Sequence, residues 1–202
     1  RQDSPWDLPS TISDGERTAP GVTVWLSPGT YTNESYEFKI TVGGEPEKPI
    51  VFRAVPGARA TIDGAIHIEA PDVWVWGLEV LVSVPRPDRP MPAGSHPQEL
   101  TRPWGGIHSR TGTRSKIINC ILHDNNQGFS YWLHAINGEI YGCIIHRNGW
   151  VGVDRPHGHA IYTQNDEGTK RIADNIMFDP YSHLLHAYGS SRAYVNGYHV
   201  EG

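Results

Sequence analysis

Apolar and polar positions in this chain alternate in short runs, three to six residues long, and the runs recur at fixed intervals. "KIINCILHDN" (116–125) lies over "EIYGCIIHRN" (139–148) at an offset of 23, matching Cys120 to Cys143, His123 to His146 and Asn125 to Asn148. "RIADNIMFD" (171–179) extends the series, with Asn175 in the cysteine column and Phe178 in the histidine column. "AYVNGYHVEG" (193–202) places Gly197 and Val200 there, and upstream "VWVWGLEV" (73–80) places Gly77 and Val80. An earlier strand precedes the second by about 14 residues: "GIHSR" (106–110), "FSYWLHA" (129–135), "AIYTQN" (160–165) and "LLHAYG" (184–189). One unit is therefore strand, turn, strand, turn in about 22 residues. A single unit cannot cover its own apolar face, but stacked copies bury a continuous column, with neighbouring strands ~4.8 Å apart. The pattern predicts an all-β solenoid, a parallel β-helix.

Period-two alternation assigns the faces. Along the second strands Leu78/Val80, Ile121/His123, Ile144/His146, Ile176/Phe178 and Tyr198/Val200 form the expected interior, which makes His123 and His146 stacked core histidines. Cys120, Cys143 and Asn175 stack in an inward turn. In the first strands Ile107, Ile161 and Leu185 point inward. His108, Arg110, Tyr162, Gln164, His186 and Tyr188 then face out, joined by Tyr131 or Trp132 according to the register. "TVWLSPGTY" (23–31), "YEFKI" (36–40), "PIVFRA" (49–54), "ATIDG" (60–64) and "AIHIEA" (65–70) are further short strands between Gly/Pro turns. Residues 1–21 lack the repeat and are expected to lead into and cap the first coil, with a short helix or loop over 7–18. The β-helix domain then runs over 22–202, with inserted loops at 84–106 and 150–158.

Composition agrees. Gly and Pro supply 38 of 202 residues, with nine Tyr and seven Trp, and stretches rich in helix formers are nearly absent. Seventeen basic residues against 22 acidic ones give a net charge of −5, without the basic block of a nucleic-acid binder. No apolar run approaches the ~20 residues of a spanning helix. The chain begins at Arg1 without Met, which fits removal of an N-terminal segment and export. Two cysteines make no disulfide framework.

"VWLSPGTY", "PEKPIVFRAVPGARATIDG", "VWVWGLEV" and "GHAIYTQN" resemble the opening coils of right-handed parallel β-helix proteins of the pectin lyase-like superfamily, over nearly the whole chain. The resemblance implies a coiled fold that hosts polysaccharide lyases, glycoside hydrolases, epimerases and non-catalytic proteins, so activity rests on the site. Such proteins usually run through more coils than this chain, which stops in mid-repeat at "YHVEG". It is expected to be a fragment, or to have that end covered.

The outward ladder of the first strands carries rings and planar donors where a solvated face would carry Thr, Lys and Glu. It suits a sugar chain, aromatic faces covering pyranose rings and Gln, His and Arg binding hydroxyls and carboxylates; the alternative is an aromatic stack that stiffens the sheet. Next to it lies "DRPHGHAIYTQN" (154–165). His159 opens a first strand, and His183 is its equivalent one coil later. His157 belongs to the inserted loop with Asp154 and Arg155. The stretch fits strand punctuation or substrate gripping better than a metal site, because one carboxylate, Asp154, is at hand.

β-Elimination on a uronic acid needs a cation on the carboxylate, a base for the α-proton and an acid for the leaving oxygen. Arg110 and Arg155 are candidates for the first, His159 or His186 for the second, Tyr162 or Tyr188 for the third. A hydrolase needs two carboxylates ~5–9.5 Å apart, and Asp154, Asp166 and Glu167 offer a poor pair. No Asp cluster forms an obvious Ca²⁺ cage; no cofactor is expected, with Ca²⁺ kept as the alternative, and the missing cage weakens the lyase reading too. The six-proline loop at 84–106 is a candidate groove wall, with Trp104 as its aromatic. The sequence thus points to a secreted or cell-surface protein that binds, and on the lyase reading cleaves, an acidic polysaccharide. The rival reading is a non-catalytic structural module that self-associates through its open C-terminal coil.

Overall fold

A computed structural model of the chain describes Asp7, Leu8, Ile12 and residues 17–202. The remainder of the expected N-terminal cap lies outside the described residues. Three parallel sheets of seven, six and six strands run the length of the molecule. The first holds Thr23–Leu26, Ile50–Ala54, Val73–Trp76, Lys116–Ile118, Glu139–Tyr141, Lys170–Ala173 and Tyr198–Glu201. The second holds Gly29–Tyr31, Ala60–Asp63, Glu79–Leu81, Ile121–His123, Ile144–His146 and Ile176–Phe178. The third holds Glu37–Ile40, Ala65–Ile68, Gly106–Ser109, Phe129–Tyr131, Ile161–Thr163 and Leu185–Ala187. The chain visits them in rotation, so it is a parallel β-helix.

Each coil has three strands where the sequence pattern gave two. "KIINCILH" bends between Ile118 and Ile121, and the bend needs a left-handed residue. Gly77 (φ 68°), Asn119 (φ 50°), Gly142 (φ 66°) and Asp174 (φ 53°) occupy that corner on successive coils. Glycine lacks the Cβ that opposes this conformation, and Asn and Asp tolerate it. Gly77 therefore belongs with Asn119, and Leu78 takes the cysteine column.

This corner resets the parity of the second sheet. Val80, Leu122, Ile145 and Met177 are register partners, with Leu122 and Ile145 fully buried. Ile121, Ile144 and Ile176 lie on the outer face, Ile176 at 61% exposure. The expected core histidines are consequently external: His123 and His146 stack at 4.9 Å, and His146 stacks on Phe178 at 4.8 Å. Tyr198–Glu201 pairs with Lys170–Ala173 in the first sheet, so Gly197 and Val200 leave the cysteine and histidine columns. The new parity has a direct test. Ile145→Ala is expected to cost ~2–5 kcal/mol in denaturant unfolding, and Ile144→Ala less than ~1 kcal/mol; equal losses would return both residues to one face.

The interior is a column of aliphatic and aromatic side chains closed by polar ladders. Helical Leu8 and Ile12 are buried in its apolar cluster beside Leu26 and Phe38. Asn148 accepts the Asn125 N–H (3.0 Å) and donates to the Leu122 carbonyl (3.0 Å), while Asn125 donates to the Val80 carbonyl (3.0 Å). Cys143 Sγ accepts the Cys120 N–H at 3.4 Å, and both thiols are free and buried. Adjacent coils thus place residues 23 positions apart in contact. Lys170 ends inside the core, donating to the carbonyls of Tyr131 (3.2 Å), Trp132 (2.6 Å) and Gln164 (2.5 Å). It fixes the segments by which Trp132 and Gln164 leave the third sheet.

Candidate functional site

The outer face of the third sheet forms the floor of a groove of about 540 Å³. Phe38, Ile66, Ile107, Phe129, Ile161 and Leu185 are register partners pointing inward. Their successors Lys39, His67, His108, Ser130, Tyr162 and His186 therefore form the outer column. Ser95, His96 and Trp104 of the 84–106 loop and Arg155, Pro156 and His157 of the inserted hairpin wall one side, where the chain enters the sheet. Arg110 and Trp132 stand where it leaves.

Two ties hold the wall. Trp150–Val151 and Pro156–His157 form an antiparallel hairpin, and Met91 exchanges backbone hydrogen bonds with it at Val151 (2.9 Å) and Val153 (2.8 Å). Buried Arg102 donates to the carbonyls of Val84 (2.7 Å), Val82 (2.8 Å) and Asp124, and to Asn126 Oδ1 (3.0 Å). Burial, then its neighbour Arg86, lowers the Arg102 guanidinium to about 10, so it stays charged at neutral pH.

The sequence candidates distribute as follows. His108, Arg110, Trp132, Trp104, Arg155, His159, Tyr162 and His186 all line the groove. Tyr188 continues the ladder beyond it, its ring 5.6 Å from His186 and 6.3 Å from Tyr162. Gln164 steadies the ladder, donating to Tyr162 Oη at 2.8 Å. Asp154 is a strut, bonded to His157 Nε2 (2.9 Å), to Arg155 (3.1 Å) and to the Gly94 N–H (3.3 Å). Tyr131 must be struck from the ligand set: Ser130 takes the outward place, and the fully buried Tyr131 ring lies against Phe129 in the core. Burial pushes its phenol well above the usual range.

His67, His96, Trp150, Ser182 and His183 also line the groove and were not picked out as ligands. His183 had a signal, one coil after His159 and three residues before His186. His67 follows the repeat, in the outer column beside His108, whereas His96, Trp150 and Ser182 lie on inserted or connecting segments whose lengths do not follow it.

Burial holds four imidazoles of the groove, His67, His108, His159 and His186, below their ordinary pKa, and the guanidinium groups of Arg110 and Arg155 line the same groove. Burial, reinforced by His186, His183 and Arg155, lowers His159 to about 4. Burial and then His183 lower His186, and His186 Nδ1 sits 3.2 Å from His159 Nε2. Burial raises the Tyr162 phenol, which stays protonated at neutral pH. His67 Nε2, Gln127 Nε2 and Trp150 Nε1 are buried and have no hydrogen-bond partner among the described residues. Such atoms are costly unless a ligand or solvent serves them. One nitrogen each from His159, His183 and His186 lie within 4.8 Å of one another, the arrangement here best suited to an ion.

His108 makes the fold pH-sensitive. Burial, then its stacked neighbour His67 (5.2 Å), lowers it to about 3 from 6.5. Between these values the unfolded chain takes a proton that the fold refuses, so stability falls as pH drops below 6.5. At about pH 4.5 the loss is ~2–3 kcal/mol. His108→Gln is expected to flatten this limb in denaturant unfolding at several pH values; an unchanged slope would place the proton uptake elsewhere.

Neither a family model nor a curated protein matches the chain. Among solved structures it is similar to the crystal structure of pectate lyase Pel9A, with a TM-score of 0.57 and 14% identity. The likeness covers 98% of this chain and 53% of the lyase, so the chain spans about half that protein's length. Among the described residues no helix is long and apolar enough to cross a membrane. The coil geometry and this likeness together show that the chain folds as a right-handed parallel β-helix.

Proposed function

We propose that the groove on the third sheet binds an acidic polysaccharide at the cell surface or in the medium. The observation that carries the reading is the lining itself. Arg110 and Arg155 line the groove together with the aromatic side chains of Trp104, Trp132 and Tyr162, and three of the lining residues carry a buried polar atom without a hydrogen-bond partner among the described residues. Guanidinium groups pair with uronate carboxylates, aromatic faces cover pyranose rings, and the spare donors meet hydroxyls. Similarity to a pectate lyase supports a uronate in particular.

The chemistry these groups best support is β-elimination. Arg155 and Arg110 neutralise the carboxylate, and neutral His159 or His186 takes the adjacent carbon's proton. The bond to the leaving oxygen breaks as the carbon–carbon double bond forms, and Tyr162, Tyr188 or solvent protonates that oxygen. Paired-carboxylate hydrolysis has little support, because Glu37 is the single acid among the lining residues. Incubation with polygalacturonate and with alginate tests both levels. Binding with a rise in absorbance near about 235 nm is expected for elimination; binding with a flat trace leaves a carbohydrate-binding groove; no binding of any uronate refutes the proposal.

A further inference from the structure

The three histidines at the upper end of the groove are a second kind of site. His159 and His183 each stand two residues before register partners, Ile161 and Leu185, so they occupy one column on adjacent coils. His186 pairs in register with Tyr162 on the outer face, on the same coil as His183. Their rings are close: 5.3 Å between His159 and His183, 4.6 Å between His159 and His186, and 4.8 Å between His183 and His186. We propose that His159, His183 and His186 bind a divalent first-row transition ion, of which Zn²⁺ is the type, with its remaining coordination position open to the groove.

Spacing supports this. Two nitrogens on one tetrahedral ion with bonds of about 2.0–2.1 Å lie roughly 3.3 Å apart, and His159 Nε2 and His186 Nδ1 are 3.2 Å apart. One nitrogen from each of the three rings lies within 4.8 Å of the other two, close enough for a rotation of the exposed His183 ring to complete the set. Loading replaces the His159–His186 hydrogen bond with two metal bonds. It also moves the His159 proton to Nδ1, which gives up its 3.3 Å contact from the His183 N–H to solvent.

Ligand type selects the ion. Three imidazoles without a carboxylate suit Zn²⁺, Co²⁺, Ni²⁺ or Cu²⁺ and not the hard cations Ca²⁺ or Mg²⁺. Three protein ligands and an open position describe a reactive site more than a structural one. All three rings line the groove with Arg155, so ion and guanidinium together face an incoming anion. A ring whose lone pair holds a metal takes no proton, so the loaded site binds a carboxylate while the metal-free site retains the base. The ion site is independent of the glycan proposal, because it is measured without a glycan.

The test is titration of the metal-free protein with Co²⁺, followed by displacement with Zn²⁺. One equivalent is expected, with intense visible bands of a four- or five-coordinate ion, and more than ~100-fold weaker binding in H183A and in H186A. H199A, altered at an exposed histidine of the first sheet, is expected to bind as the parent does. H183A changes an exposed side chain, and an unchanged unfolding midpoint would separate lost ligation from lost fold. Absence of bands, or equal affinity in H183A and the parent protein, would overturn the site and leave the rings as an aromatic stack. Glycan binding measured in chelator stands or falls separately.

Discussion

Replacing Arg155 with alanine is expected to weaken binding of polygalacturonate about 30-fold, roughly 2 kcal/mol, with little change for an uncharged glucan. Asp154 holds the guanidinium at 3.1 Å, which limits the ordering cost of engaging a ligand. The Arg155 side chain is nevertheless 57% exposed, so an anion can reach it. Its charge is also felt along the floor, where it contributes to keeping His159 and His186 neutral. Arg155→Lys is expected to recover only part of the affinity, because an ammonium cannot make the paired hydrogen bonds of a planar fork. Calorimetry of both variants at two salt concentrations would check this. Equal affinity for parent and R155A would move the anion contact off the hairpin.

Arg102→Ala is expected to cost about 3 kcal/mol and to loosen the wall. Removing the buried guanidinium strands the acceptors of Val82, Val84, Asp124 and Asn126 at once, and alanine offers none of them a donor. The 84–106 loop would then be held chiefly by the Met91 contacts with the hairpin and by Arg86, which donates to the Gly149 carbonyl (2.9 Å) and pairs with Asp124 (2.9 Å). Faster proteolysis within that loop, a lower unfolding midpoint and weaker glycan binding should appear together. A variant as resistant to protease as the parent would show that the loop is anchored elsewhere.

The contrast between the two sheets explains what the sequence could reveal. In the third sheet Ile-His, Ile-Tyr and Leu-His pairs leave one apolar residue per step, so parity was legible at Ile107, Ile161 and Leu185. "FSYW" has three aromatics around one serine, and only strand pairing decides that Ser130 faces out and Tyr131 faces in. In the second sheet Ile121-Leu122 and Ile144-Ile145 are both apolar, and alternation carries no information there. Their order is set by the left-handed corner at Asn119 and Gly142, where an asparagine does the work usually signalled by glycine. The spacing of the repeat was readable because coil stacking is a backbone property. The groove was half readable, because its floor follows the repeat while its wall comes from loops that do not. His183 shows the limit most clearly: its column was evident, but its convergence with His159 and His186 depends on ring directions.

The most direct measurement is a crystal structure with a bound oligogalacturonide. The sugar is expected along the third sheet over Ser130 and Tyr162, flanked by Trp132 and the loop wall, with a carboxylate in hydrogen-bond contact with Arg155. A saccharide seated on the first or second sheet, or none bound at saturating concentration, would contradict the account.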